Sequence, residues 1–392
     1  MTKVKTGLEN LILSPPAWLK GKKLGLLCNP ASVNHQLSHA RELIEQCFAG
    51  QLKALFSPQH GFFSAKQDNM IESNHITDPV LNIPVFSLYG KTRIPTGKML
   101  DLIDVLIIDL QDVGTRVYTF IYTMAFCLTA ARHFNKKVLI LDRPNPISGI
   151  MAEGNLLADD CRSFVGQYPI PMRHGLTIGE LALLFNKHFE ETECDLEVVP
   201  MTGWQRNMYF HDTGLPWIAP SPNLPTLSSA LVYPGQVIWE GTNISEGRGT
   251  TQPFELFGAP FLNQKKILDS LDGNQLPGVF LRPIEFEPTS NKWQATNCRG
   301  FQMHIIDPNI FKPFQCSLNL LRAIILNHPE HFEWKSPPYE YEFKRKPIDL
   351  IIGNTDLRKQ IEQSTPIKQL EKTWQSALNQ YIRLSRNYHL YS

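Results

Sequence analysis

Several things that would point straight to a class of function are missing from this sequence. It has no surplus of charge: 38 lysines and arginines face 37 aspartates and glutamates, a formal net charge of +1. A general nucleic-acid partner needs excess basic groups to displace counterions from phosphates, so none is expected. No apolar run approaches the roughly 20 residues of a membrane span, and no membrane partner is expected. Residues 1–13 have neither the apolar core nor the cleavage site of a secretory signal. The seven cysteines, at 28, 47, 127, 161, 194, 298 and 316, are scattered, odd in number and free of any Cys-x-x-Cys pair. Cys28, Cys47 and Cys127 sit in apolar stretches, which suits buried reduced thiols of a cytoplasmic protein better than a disulfide framework.

Cofactor signatures are also missing. No G-x-G-x-x-G follows any strand-like run, against a dinucleotide. Gly90-Lys91-Thr92 resembles the end of a phosphate loop, but the first glycine that motif requires would fall at Val85. Pro95 also stands against an immediate helix there. His328-Pro329-Glu330-His331 has two histidines but no further ligands, and reads as a surface turn. Zinc-protease and EF-hand patterns are lacking. Neither a metal nor an organic cofactor is expected. There is no internal repeat and no low-complexity tract.

What the chain does have is alternation. Four apolar runs, at 24–28, 52–56, 105–110 and 138–141, each end in a short polar loop. Helical periodicity fills the gaps between them, over 38–49 and 117–134. Pro95 can start a short helix toward Leu102. Thr177 and Glu180 form a capping-box pattern before a helix through Phe189, and 196–200 reads as a closing strand. Such a rhythm predicts an α/β fold, a Rossmann-like parallel sheet covered on both faces. After about residue 204 prolines at 216, 220, 222, 225 and 234 punctuate an extended stretch. Strands are expected at 279–282 and 301–306, and helices at 314–327, 356–363 and 366–386. At 392 residues, two domains are the default. We expect a Rossmann-like domain over 1–200 and a smaller α+β domain over 201–392.

In an open parallel sheet, loops beyond the strands' carboxyl ends converge on one crevice where ligands bind. The loops here are Asn29-Pro30-Ala31, Pro58-Gln59-His60-Gly61, Gln111-Asp112-Val113-Gly114-Thr115-Arg116 and Asp142-Arg143-Pro144-Asn145-Pro146. Asp112 and Arg116 either pair to fix their loop or present a hydrogen-bonding acid and an anion clamp. The prolines around Arg143 and Asn145 suit a structural turn or a preorganised polar site equally. The segment 240–251 is dense in hydroxyls, amide and guanidinium, the groups a sugar with an acidic substituent would need. Its glycines would let a ligand approach the backbone.

Taken in order, these loops resemble the NamZ-type exo-β-N-acetylmuramidases. The likeness also runs through Leu88-Tyr89-Gly90, Tyr168-Pro169-Ile170-Pro171, Arg173-His174-Gly175 and Ser221-Pro222-Asn223, so it covers nearly the whole chain. It implies a site in the cleft between the two domains, and release of terminal N-acetylmuramic acid from peptidoglycan fragments. Where the relatives carry Pro-Glu-His-Gly with a proposed catalytic acid, this chain has Gln59. A carboxamide can hold a glycosidic oxygen but cannot act as a carboxylic acid.

Glycoside cleavage normally uses two carboxyl groups, so another acid is expected in the cleft. Glu72, in the same long loop as Gln59, is the first candidate, followed by Glu246 and Asp112. Gln59 and His60 would position the leaving oxygen. Arg116, Arg143 and Arg248 are candidates to hold the lactyl carboxylate, where a bidentate fork fits better than lysine. Asn29, Tyr118, Asn145, His174, Asn223 and Asn243 are candidates for hydroxyl or acetamido contacts. The partner expected is a small carbohydrate, a muropeptide or amino-sugar fragment. Two alternatives stay open: a sugar-binding protein without hydrolysis, and an enzyme for a different acidic sugar.

Overall fold

A computed structural model of the chain describes residues 4–67, 70–189 and 193–392. Its first half is built on a seven-stranded sheet. In chain order the strands are β1 (Leu24–Cys28), β2 (Leu52–Ser57), the two-residue β3 (Ile76–Thr77), β4 (Pro84–Ser87), β5 (Val105–Asp109) and β6 (Lys137–Leu141). A separate antiparallel pair follows, β7 (Glu153–Leu156) and β8 (Pro171–Arg173), before β9 (Leu196–Val199) closes the large sheet. The spatial order is β3-β4-β2-β1-β5-β6-β9, parallel except at β3.

Side-chain alternation divides this sheet between two cores. Leu26, Ile107 and Leu139 pack on one face with Leu8, Leu11 and Ile44. Leu27, Ile108 and Ile140 pack on the other with the helix Phe120–His133. That second core does not stop at the domain edge. It continues through Trp239, Phe257, Phe301 and Phe314, so the two halves of the chain share one apolar interior.

The second half carries a three-stranded antiparallel sheet, β10 (Leu256–Ala259), β11 (Val279–Phe286) and β12 (Cys298–Ile305), in the order β10-β12-β11. Around it lie the helices Pro313–Asn327, Pro347–Ile352, Thr355–Glu362 and Ile367–Ser385. The last helix returns to the first half, where the Tyr381 hydroxyl donates to the His174 carbonyl at 2.8 Å. Tyr391 donates to Asp142 at 2.5 Å.

The capping box at Thr177 and Glu180 is present, and the helix it starts, Ile178–Leu184, loosens into a wider turn over Phe185–Phe189. The proline-rich stretch is not wholly extended. Residues Leu227–Gln236 form a helix despite Pro234, because Thr226 and Ser229 cap its start and the proline falls in its last turn. No disulfide joins any of the seven cysteines, and six of them are buried. No helix among the described residues is long and apolar enough to cross a membrane.

Candidate active site

The loops after β2 and β5 open onto a small cavity, closed from the far side by the second half of the chain. Gln59 and His60 come from the first loop, and Val117–Phe120 from the approach to the helix Phe120–His133. Facing them are Glu240, Arg248, Tyr339 and Glu340. Glu240, Arg248 and Tyr339 also line a larger open groove, with Asn243, Glu246, Lys292, Trp293 and Trp334 on its walls.

Two carboxyl networks meet at the cavity. In one, the Glu340 carboxyl, 4% exposed, accepts from the Tyr89 hydroxyl at 2.6 Å and from the Gln59 amide at 3.1 Å. The Thr119 hydroxyl donates to the Gln59 carbonyl oxygen at 2.6 Å, which fixes which end of the amide faces Glu340. Burial raises the Glu340 pKa above the ordinary carboxyl value, against the hydrogen bonds from Tyr89 and Gln59.

In the other, Arg248 bridges Glu240 at 2.6 Å and Glu246 at 3.2 Å. The Tyr339 hydroxyl donates to Glu240 at 2.7 Å, and Lys292 donates to Glu246 at 2.7 Å. Burial opposes ionisation of Glu246, but Lys292 and Arg248 outweigh it and lower its pKa. The Arg248 Nη1 is buried without a hydrogen-bond partner among the described residues.

The residues expected at the site divide into three groups. Gln59, His60, Tyr118, Asn223 and Arg248 line the cavity, and Asn243 and Glu246 line the adjoining groove. Glu72 is exposed and lines neither, so the chain offers no sign that it fills the place of an acid at Gln59.

The remaining six are tied into the framework. Arg116 is fully buried and donates to four carbonyls, those of Asn155, Ile170, Ile351 and Ile352, which does not fit an anion clamp. Arg143 forks onto Asp109 at 2.5 and 2.8 Å. Asn29 donates to the Pro220 carbonyl, and Asn145 to that of Leu176. His174 receives the Leu176 N–H at Nδ1 and so donates from Nε2 to Asp112, at 3.1 Å. The second Asp112 oxygen has no partner among the described residues, but neither residue lines the cavity. Two of the four strand-end loops therefore build the cleft; the loops after β1 and β6 knit the sheet edge together.

Glu340, Glu240, Tyr89 and Tyr339 were not singled out from the sequence as site residues. The available signal was the alternation Tyr339-Glu340-Tyr341-Glu342, but no strand precedes it to place it.

A mainly parallel α/β sheet domain, joined to a second domain across a cleft lined with buried carboxyls, is the architecture of a two-domain α/β protein with an interdomain acid site. The N-terminal model of the exo-β-N-acetylmuramidase NamZ family matches residues 24–228, and the C-terminal model matches residues 231–391. The chain belongs to this family. It is 43% identical over 389 residues to the peptidoglycan β-N-acetylmuramidase NamZ of Bacillus subtilis (strain 168), covering 99% of this chain and 92% of that protein. Two crystal structures of DUF1343 family proteins from Bacteroides fragilis NCTC 9343 share the fold. One has a TM-score of 0.90 at 35% identity with both chains covered completely. The other has a TM-score of 0.77 at 28% identity, covering 100% of this chain and 99% of that one.

Proposed function

We propose that this chain is an exo-acting glycoside hydrolase that releases terminal N-acetylmuramic acid, or a related acidic amino sugar, from peptidoglycan-derived fragments. The observation that carries the reading is the pair of buried carboxyls, Glu240 and Glu340, on one wall of the interdomain cavity. Glycoside cleavage needs an acid and a second carboxyl about one bond. Their surroundings differ in the way that separates such roles, since Glu240 is held by a guanidinium while Glu340 touches an amide and a phenol. The partnerless nitrogen of Arg248 is a donor for the lactyl carboxylate, and Tyr118 and Asn223 are within the cavity for hydroxyl or acetamido contacts.

Seven cysteines with no disulfide among them suit a reducing compartment, and we read the protein as cytoplasmic. The reading is tested with purified protein and two 4-nitrophenyl glycosides, a β-N-acetylmuraminide and a β-N-acetylglucosaminide. Turnover of the first with preference over the second, in the range of roughly pH 5–8 where catalytic carboxyls are tuned, is the expected result. Saturable binding of N-acetylmuramic acid with no turnover of either would favour the alternative, a sugar-binding protein silenced at Gln59.

A further inference from the structure

We propose that Glu340 is the proton-transferring carboxyl of this site, and that Gln59 is its positioning residue. The inference rests on the hydrolase reading above and names the group that reading leaves open. Among the described residues, three buried carboxyls lie at the cavity and the adjoining groove, Glu240, Glu246 and Glu340. Glu246 is bonded to Lys292 and Arg248, and Glu240 to Arg248, so each has a cation within hydrogen-bond distance. Glu340 alone among the three has only neutral groups within hydrogen-bond distance.

The charged and titratable groups facing Glu340 are Arg93, Glu240, Tyr89, Tyr233, Tyr339 and Tyr341. Arg93 is held over the rings of Tyr89, Phe164 and Tyr341, at 5.4, 4.6 and 4.2 Å from their centroids, and forms no ion pair with Glu340. The backbone adds a second sign. Glu340 and Tyr341 have φ of +47° and +66°, consecutive left-handed residues that lack the freedom of glycine. Such conformations persist where the surroundings over-determine them and cluster at functional sites.

The chemistry balances with water alone. The glycosidic oxygen takes the Glu340 proton and the bonding pair as its bond to the anomeric carbon breaks, and the leaving sugar departs as an alcohol. Water delivers hydroxide to the anomeric carbon, and its remaining proton returns the carboxyl to the acid form. Gln59 transfers no proton. Held by Thr119, its N–H fixes the Glu340 oxygen and stabilises the carboxylate left after transfer.

The test uses full-length Glu340→Gln on two muraminides, one with a sugar leaving group and one with 4-nitrophenol, which departs without protonation. Loss of general acid help is expected to lower kcat on the sugar-linked substrate by roughly 10²–10⁴-fold. The nitrophenyl substrate should lose far less, and the basic limb of the kcat/KM profile should vanish. Gln59→Leu should keep KM within a few-fold while moving that limb to higher pH, which a purely structural role would not do.

Equal losses on both substrates, or an intact basic limb in Glu340→Gln, would overturn the proposal while leaving the hydrolase reading in place. A wild-type protein inert on both muraminides would overturn the hydrolase reading and this proposal with it. If Glu340→Gln does not fold, Glu340→Asp, which withdraws the carboxyl by one methylene, must show the same leaving-group dependence; its absence there would equally refute the role.

Discussion

Placing a carboxyl at position 59 should make folding stability strongly pH dependent. In Gln59→Glu an oxygen replaces the amide nitrogen that lies 3.1 Å from the Glu340 carboxyl. Two carboxylates this close, in a buried site, repel by about 4 kcal/mol at an effective dielectric of 20 and a relaxed separation of 4 Å. That energy corresponds to roughly three pKa units on whichever group ionises second. At low pH the pair shares one proton and the lost N–H···O contact is replaced by O–H···O, so the variant should match wild type. Above about pH 5 both glutamates are ionised in the unfolded chain, whereas the folded pair still holds a proton. The folded state then binds more protons, and stability falls by about 1.4 kcal/mol per pH unit until the raised pKa is passed. Wild type carries part of this slope through Glu340 alone, so the quantity to read is the difference between the two proteins. We expect a gap near zero at pH 4.5 that grows to about 3–4 kcal/mol by pH 8, measured by urea unfolding midpoints across the range. A gap that does not change with pH would mean that the two side chains do not share an electrostatic environment.

Arg116→Met removes a donor from four buried carbonyls, of which that of Ile352 keeps Asn155 at 2.9 Å, and should lower stability by about 3 kcal/mol or more, at about 1–3 kcal/mol for each acceptor left unpaired, visible as a lower urea midpoint. KM at permissive temperature should stay unchanged, since Arg116 does not reach the cavity. Burial pushes the Glu153 carboxyl up to about 7, and one of its oxygens has no partner among the described residues. Stability should therefore decline between about pH 4.5 and 7, and Glu153→Gln, which keeps the acceptor for the Gln315 N–H, should recover up to about 3 kcal/mol at pH 8 and nothing at pH 4. Arg248→Lys should reduce the preference for muraminide over glucosaminide by roughly 10–100-fold, the worth of about 1.5–3 kcal/mol for hydrogen bonds to a charged group. An unchanged ratio of kcat/KM for the two glycosides would exclude Arg248 from lactyl recognition.

The inner strands β1, β5 and β6 were legible because they are apolar on both alternating faces and each is bounded by turn chemistry. Leu26 and Leu27 belong to different cores, a division that period-two alternation already encodes. The helix Leu227–Gln236 was masked by Pro234, whose local cost is small in a last turn and is outweighed by burial of Val232 and Tyr233. Arg116 and Arg248 look alike in sequence, each in a glycine-containing polar loop. Whether a guanidinium meets carbonyls or carboxylates depends on what the rest of the chain brings to it, and no local pattern records that. Gln59 and Glu340 are 281 residues apart, so their contact lies beyond any motif.

The position of Glu340 is nonetheless determined by residues with no part in the chemistry. From the first half, Arg116 holds the Ile351 and Ile352 carbonyls at the end of the helix Pro347–Ile352. From the second half, Arg345 reaches back to the carbonyls of Asp160 and Arg162, at 2.6 and 2.8 Å, while its remaining contacts hold Glu342. The stretch from 339 to 352 is thus stapled across the domain boundary by two arginines pointing in opposite directions. Guanidinium suits this task because its fork can satisfy several carbonyls at once and its charge cannot be titrated away at working pH. A carboxyl on so constrained a segment meets the first-half loop at Gln59 without hinge closure. The loops after β1 and β6, although they carry no cavity residues, keep the sheet edge that presents Gln59 and Tyr118 rigid. Preorganisation of the acid therefore originates in framework contacts that sequence reading assigns to substrate.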